Sequence, residues 1–232
     1  MTVVFVHVGK CAGGSILAQF HKNKVSYTEL HCGDSPSRLM GFLSDDDGSN
    51  HYVVSVRDPV KRFLSSFNFD KYEKIIQGKG VKNPLWSEIY DTFESANHLC
   101  ESMFCEIDRL RMLSHKAFFN SFLHMSLTLS WYLPVECLVR LPMDRVSVIR
   151  TEYVENDLNS FFQHYGQGDV VQLRKDKDSR SFLDEIGIEN PLFLSKVSQS
   201  TLSLVYDADY RILDYFYRCG AISERYQRPG AT

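Results

Sequence analysis

The sequence lacks the cysteine patterns of a small zinc-bound or disulfide-bonded domain. Its six cysteines include no Cys-x-x-Cys pair and no cysteine–histidine pairing at zinc spacing. A structural zinc site of that kind is therefore not predicted. Because no charged leader precedes the first apolar strand, we expect no signal peptide, reduced thiols and a cytoplasmic protein.

The sequence also lacks a long apolar run and an excess of either charge. No apolar stretch approaches the ~20 residues that a membrane-spanning helix needs. The formal net charge is −3, so no overall positive field attracts nucleic acid. We therefore expect neither a membrane span nor a nucleic-acid partner.

The remaining sequence predicts one α/β domain over residues 1–232. With 44% hydrophobic residues, a chain of this length buries roughly 70% of its unfolded surface on folding. Short apolar strands alternate with amphipathic helices, which is typical of an open parallel sheet flanked by helices. Residues 70–145 are predicted to form a mostly helical insert that acts as a lid on the acceptor side, and residues 166–180 a polar loop.

The most informative segment joins the first strand to the first helix. An apolar run, Val-Val-Phe-Val-His-Val, is followed by Gly-Lys-Cys-Ala-Gly-Gly-Ser and then by a helical pattern. The amides of such a turn and the positive end of the helix dipole converge on one small volume, which suits a phosphate or sulfate. The predicted binding residues are Lys10, Cys11, Ala12, Gly13, Gly14 and Ser15.

Polar residues follow three predicted strands. Lys10, His31 and Arg57 each come just after a strand, and ligands of open parallel sheets lie outside the carboxyl ends of the strands. Ser65 is predicted on the polar face of the helix after Arg57, together with Arg62. Arginine and serine can hold one phosphate between them, so Arg57 and Ser65 form a second predicted anion site.

These residues resemble those of the sulfotransferases that use 3′-phosphoadenosine 5′-phosphosulfate (PAPS), especially the branch containing heparan sulfate 2-O-sulfotransferase. His-Val-Gly-Lys-Cys-Ala-Gly-Gly-Ser at 7–15 is similar to the loop that binds the 5′-phosphosulfate in that family. Val-Arg-Asp-Pro-Val-Lys-Arg-Phe-Leu-Ser at 56–65 is similar to the element that holds the 3′-phosphate. Residues 148–152 and 204–217 are also similar to later segments.

The resemblance implies transfer of a sulfuryl group from PAPS to a hydroxyl or amine, leaving adenosine 3′,5′-bisphosphate, without a metal. It implies that Lys10 and the 11–15 loop bind the phosphosulfate and that Arg57 and Ser65 bind the 3′-phosphate. Lys10 would also neutralise the leaving phosphate, and His31 would be the general base. The acceptor is a carbohydrate or another small molecule. Three residues depart from the family pattern: Gly9, Gly14 and Glu29 replace proline, threonine and histidine.

Alternatives remain for both the base and the activity. His124 is the competing base, although its apolar and helical surroundings favour a structural role. A P-loop kinase using ATP and magnesium is the rival enzyme, but the Walker A lysine follows the second glycine, whereas Lys10 precedes both Gly13 and Gly14. A non-catalytic nucleotide-binding protein is the third reading. The sequence does not indicate an oligomeric state.

Overall fold

The computed structural model describes residues 2–33, 35–72, 83–165, 173 and 193–229. Except for Leu173, the predicted loop at 166–180 lies outside these residues. Residues 73–82 of the predicted insert also lie outside them.

The chain divides into two compact units. The first comprises Met1–Arg57, Thr128–Arg174 and Asp209–Tyr226, and the second comprises Asp58–Leu127, Lys175–Ala208 and Gln227–Thr232. This division does not test the predicted single domain over residues 1–232, which stays a prediction.

The first unit contains a four-stranded parallel sheet. Its strands are β1 (Thr2–Val6), β2 (Tyr27–Leu30), β3 (Asn50–Val56) and β4 (Val146–Arg150), in the order β2-β1-β3-β4. The predicted open parallel α/β sheet is confirmed. Because β1 lies between β2 and β3, the chain leaves the first strand toward one side and returns on the other, and the crevice of such a sheet opens at that point.

Helices account for most of the remaining described residues. In chain order they are α1 (Gly13–Lys22), α2 (Ser35–Ser44), α3 (Pro59–Phe69), α4 (Pro84–Thr92), α5 (Ala96–Ser102), α6 (Asp108–Phe119), α7 (Leu129–Tyr132), α8 (Val135–Leu138), α9 (Val154–Tyr165), α10 (Lys196–Val205) and α11 (Asp207–Arg218). Short 3₁₀ turns at Met143–Arg145 and Thr151–Tyr153 flank β4.

The core of the first unit lies between the sheet and the helices α1 and α9. Alternate residues of β1 and β3 point toward these helices, since side chains along a strand point to opposite faces in turn. The other face of β1 is apolar as well, and both faces are buried, as expected for a parallel sheet. The buried cluster contains Val3, Phe5, Ile16, Phe20, Val25, Val53, Ile149, Leu158, Phe161 and Phe162.

The second unit is helical in its described part and is built around aromatic side chains. It contains α3, α4, α5, α6 and α10, with buried rings of Phe63, Phe67, Phe118 and Tyr206. The described residues of the 70–145 segment include α4 to α8, of which α7 and α8 belong to the first unit. A helical insert over 70–145 that acts as a lid stays a prediction.

Among the described residues, no helix is both long and apolar enough to cross a bilayer.

Candidate functional site

The glycine loop enters α1 through a strained backbone. Lys10 and Ala12 have φ values of 67° and 58°, in the left-handed region that non-glycine residues rarely adopt. Ala12 directly precedes α1 and its side chain makes no cap hydrogen bond. The first amides of α1 therefore receive no acceptor from the helix or from a cap, which is the arrangement that suits an anion.

The six predicted residues of this loop differ in exposure. Cys11 and Gly13 are buried, and the others are half-buried or exposed: Lys10, Ala12, Ser15 and Gly14. The Cys11 thiol lies 3.7 Å from the carbonyl oxygen of Gly9, and its amide donates to Val8. Cys11 thus contributes to the turn itself.

Two residues of β3 and its end hold the loop in place. The Ser55 hydroxyl accepts a hydrogen bond from the Val8 amide at 3.1 Å and donates to the Val6 carbonyl at 3.4 Å. The Arg57 guanidinium donates to the carbonyl of Lys10 at 3.3 Å. The structure therefore brings together Lys10 and Arg57, which the sequence had placed on separate anion sites.

A second group of polar residues lies on the neighbouring strands β1 and β2. Phe5 is paired with Glu29 in the sheet, so His7 and His31, each two residues further on, share the same face. Nδ1 of His7 lies 2.5 Å from a carboxylate oxygen of Glu29. The rings of His7 and His31 stack with centroids 4.0 Å apart and planes 19° apart.

The ring of His7 also explains one glycine of the loop. A Cβ atom on Gly13 would lie 1.7 Å from Nε2 of His7, which is far inside van der Waals contact. The neighbouring Gly14 has no heavy atom within 4 Å of the same position. Gly13 is therefore required for packing against His7, whereas Gly14 is not constrained in this way.

The hydrogen bonds of His31 define its tautomer. Nδ1 of His31 lies 2.8 Å from the backbone carbonyl oxygen of His7, and a carbonyl can only accept, so Nδ1 carries the proton. In the neutral ring, Nε2 then holds the lone pair. The residue is exposed, so this nitrogen has the properties of a general base.

The pKa of His31 is raised above its ordinary value. The largest cause is a hydrogen bond with the side chain of Cys32; burial opposes it, and the His7 carbonyl and the charge of Glu29 add to it. The Cys32 thiol also lies 3.4 Å from the hydroxyl of Tyr132 on α7, whose ring stacks with His31 at 6.3 Å. The rings of His7 and Tyr132 are therefore both neighbours of His31.

One group of potential metal ligands is found within the described part of the chain, and it consists of His7, Glu29 and His31. Donor atoms of His7, Glu29 and His31 lie within 4.8 Å of one another. Their ring nitrogens already have partners, because Nδ1 of His7 lies 2.5 Å from Glu29 and Nδ1 of His31 lies 2.8 Å from the His7 carbonyl oxygen. The Nε2 edge of His7 also faces Gly13. We therefore assign these side chains to hydrogen bonding.

The remaining predicted cofactor residue lies in the second unit. Ser65 is half-buried on α3, while Arg57 belongs to the first unit, so their shared phosphate site stays a prediction. Arg62 was expected on the polar face with Ser65, but it is buried. Its guanidinium donates to the carbonyls of His124 and Leu127 at 2.9 and 3.1 Å, and it thereby ties a loop to α3.

His124, the competing base, is also in the second unit. Its Nδ1 lies 2.6 Å from the buried carboxylate of Asp70, which also accepts from the His124 amide at 3.3 Å. The residue lies in a turn between α6 and α7, not in the helix expected from the sequence. A buried carboxylate that orients an imidazole is also found in catalytic pairs, so His124 stays the alternative base.

The sequence interpretation missed the partner of Glu29. In the sequence Glu29 stands out only as a departure from the family pattern, whereas in the structure its carboxylate contacts His7. The sequence signal for this contact was the spacing of residues on two adjacent strands. His7 lies two residues after Phe5, and Phe5 pairs with Glu29, so His7 and Glu29 lie on the same face of the sheet.

Comparison with protein-family models, with curated proteins and with solved structures finds no match to this chain.

Proposed function

We propose that this protein is a sulfotransferase that moves a sulfuryl group from PAPS to a hydroxyl or amine of a carbohydrate or other small molecule. A lone pair of the acceptor forms the new bond to sulfur. The bond between sulfur and the bridging phosphate oxygen breaks, so adenosine 3′,5′-bisphosphate leaves with that electron pair. The acceptor proton passes to a base, and the reaction needs no redox partner.

The hydrogen bond from Arg57 to the Lys10 carbonyl is the observation that carries the proposal. It joins the end of β3 to the glycine loop after β1, where the crevice of the sheet opens. The Arg57 side chain, residue Lys10 and the start of α1 therefore lie at one edge of the sheet. A ligand with two separate anionic groups, such as PAPS, is complementary to this arrangement.

His31 supplies the base in this proposal. Its Nδ1–H group donates to the His7 carbonyl. In the neutral ring, Nε2 is therefore the nitrogen that takes the proton from the hydroxyl or amine of the sulfuryl acceptor. Because the pKa of His31 is raised, the imidazolium persists to a higher pH than in a free histidine. The rate should therefore rise with pH as His31 loses its proton.

Lys10 and Ser65 take the roles that the family resemblance implies. Charge on the bridging oxygen grows as the phosphate leaves, and the Lys10 ammonium would stabilise it more in the transition state than in the ground state. Ser65 would donate its hydroxyl to the 3′-phosphate.

The first experiment is calorimetric titration with adenosine 3′,5′-bisphosphate and, separately, with ATP in the presence and absence of magnesium. We expect the bisphosphate to bind without metal and Lys10→Ala to weaken it. Lys22→Ala is the matched control, since this exposed lysine lies at the opposite end of α1.

The alternatives predict different titrations. Preference for ATP with magnesium would favour the kinase. Binding of the bisphosphate without any transfer from PAPS to a panel of sugars and phenols would favour a non-catalytic nucleotide-binding protein. Binding of neither nucleotide would contradict the proposed anion site.

A further inference from the structure

The residue His7 contacts both the glycine loop and His31. Nδ1 of His7 is held by Glu29 at 2.5 Å. Its Nε2 edge fills the space where Gly13 would carry a side chain. Its ring stacks on His31, and its carbonyl accepts the Nδ1 proton of His31.

These contacts limit how His7 can move. The ring is packed between Phe5, at a centroid distance of 5.4 Å, and His31, at 4.0 Å. Rotation about the side-chain bonds would break the contact with Glu29 and would push the ring into the loop or away from His31. The loop and His31 therefore cannot change position independently of His7.

We propose that His7, held by Glu29, is a positioning residue that couples the orientation of the general base His31 to the conformation of the anion-binding loop. This inference rests on the proposed function for its catalytic consequence, but the coupling itself is a property of the free protein. Nothing in this role requires His7 to touch the substrate.

The groups around His31 determine how the coupling affects the pKa of its imidazole. Glu29 on β2 favours the imidazolium, the thiol of Cys32 hydrogen-bonds to it, and the phenol of Tyr132 on α7 lies against it. Of these groups, Glu29 acts on His31 by its charge, and its carboxylate is also bonded to the ring of His7. Replacing Glu29 by glutamine removes the charge and keeps an oxygen that can accept from Nδ1.

The contact with the loop is tested by a double-mutant cycle on thermal stability. Gly13→Ala should lower the melting temperature of the wild type by roughly 5 °C or more, as expected for overpacking a fixed contact. In the His7→Ala background the same change should cost nothing, because the space is then empty and alanine is the better helix former. Gly14→Ala, at an unobstructed position, is the control and should have the same effect in both backgrounds.

The link to the base is tested with Glu29→Gln. We expect its melting temperature and its affinity for the bisphosphate to stay near the wild-type values. We expect kcat to fall about tenfold, the lower end of the effects seen when a residue that orients a functional side chain is replaced. The acidic limb of the kcat profile should move to lower pH, because the imidazolium of His31 loses a favourable charge. A merely structural role would lower stability and binding and leave this limb in place.

The coupling is also measured without turnover, by nuclear magnetic resonance titration of His31 in the free protein. Its pKa should be lower in Glu29→Gln than in the wild type, and the same substitution should shift it by a different amount in the His7→Ala background, where only the direct charge effect of Glu29 is left. The proposal is overturned if Gly13→Ala costs the same with and without His7, or if Glu29→Gln shifts the pKa of His31 equally with and without His7. Failure of the wild type to bind the bisphosphate would instead contradict the proposed function and leave these two measurements to decide the coupling.

Discussion

Replacing His31 by asparagine separates its chemical role from its structural one. The amide nitrogen of asparagine can occupy the position of Nδ1 and donate to the His7 carbonyl, which lies 2.8 Å from that nitrogen in the wild type. The variant has no group at the position of Nε2. The fold and the anion-binding loop should therefore be retained while the proton acceptor is lost.

The expected loss follows from the contribution of a general base. Removing such a group lowers the rate by about 10²–10⁴, which corresponds to a barrier increase of roughly 3–5 kcal/mol. In the wild type kcat should rise with pH through a pKa above 6.5, the ordinary value, because only the neutral ring accepts a proton. In His31→Asn this rise should disappear.

The assay is sulfuryl transfer from PAPS measured across roughly pH 5–9, the range in which a histidine titrates. His115→Asn is the matched control, since His115 is an exposed histidine on α6 of the second unit. Our reasoning is refuted if His31→Asn keeps the rising limb of the profile or turns over at the wild-type rate. A residual rising limb that is lost on changing His124 would transfer the base role to that residue.

Three further predictions concern anion binding and stability. Arg57→Ala should raise the Kd of adenosine 3′,5′-bisphosphate by a larger factor than that of adenosine 5′-phosphate in calorimetry, because Arg57 also holds the loop at the Lys10 carbonyl; equal weakening of both would contradict its assignment to the 3′-phosphate. Asp157→Ala leaves the buried Arg150 without the carboxylate that accepts three of its N–H groups at 2.7–2.9 Å, and should cost about 3–5 kcal/mol in urea unfolding, with less cost when Arg150→Met is added. His51 is buried, and desolvation lowers its pKa to about 4, so its contribution to stability is present above pH 6.5 and is lost as the pH falls toward 4; the wild type should lose about 1–3 kcal/mol more over that range than His51→Asn, and equal losses would contradict the assignment.

The alternation of strands and helices followed from sequence because local patterns determine it. Residues 52–56 are apolar except for Ser55, which is typical of a buried parallel strand, and β3 covers Asn50–Val56. Asp58 before Pro59 is typical of a helix start, and the Asp58 carboxylate accepts from the Lys61 amide at 2.9 Å.

Burial of charged residues was harder to predict. Arg62 lies on α3 at a position that helical periodicity shares with Ser65, and an arginine there is normally solvated. The structure buries it, because the carbonyls of His124 and Leu127 come from a segment more than sixty residues away in the chain. Contacts between residues so far apart in the chain leave no pattern in the local sequence that would predict the burial of Arg62. The division of the 70–145 segment between two units has the same origin.

The candidate site was predictable in its members and not in its contacts. Lys10, His31 and Arg57 were placed at one edge by the rule that parallel strands end together, and Arg57 does reach the Lys10 carbonyl. The contact between His7 and Glu29 depends on the register of β1 against β2, which pairs Phe5 with Glu29. A shift of one residue would point Glu29 to the other face of the sheet.

The two adjacent glycines of the loop show why a motif must be interpreted position by position. Gly13 and Gly14 look equivalent in the sequence, yet only Gly13 faces a fixed ring, at 1.7 Å from the site of its missing Cβ. Gly14, where the sulfotransferase pattern has threonine, is exposed and unobstructed. Packing does not require a glycine at position 14, so this departure from the pattern only removes a hydroxyl. Position 13 must be glycine as long as His7 stays in place. The residue allowed at position 13 is thus constrained by His7, which also stacks on His31.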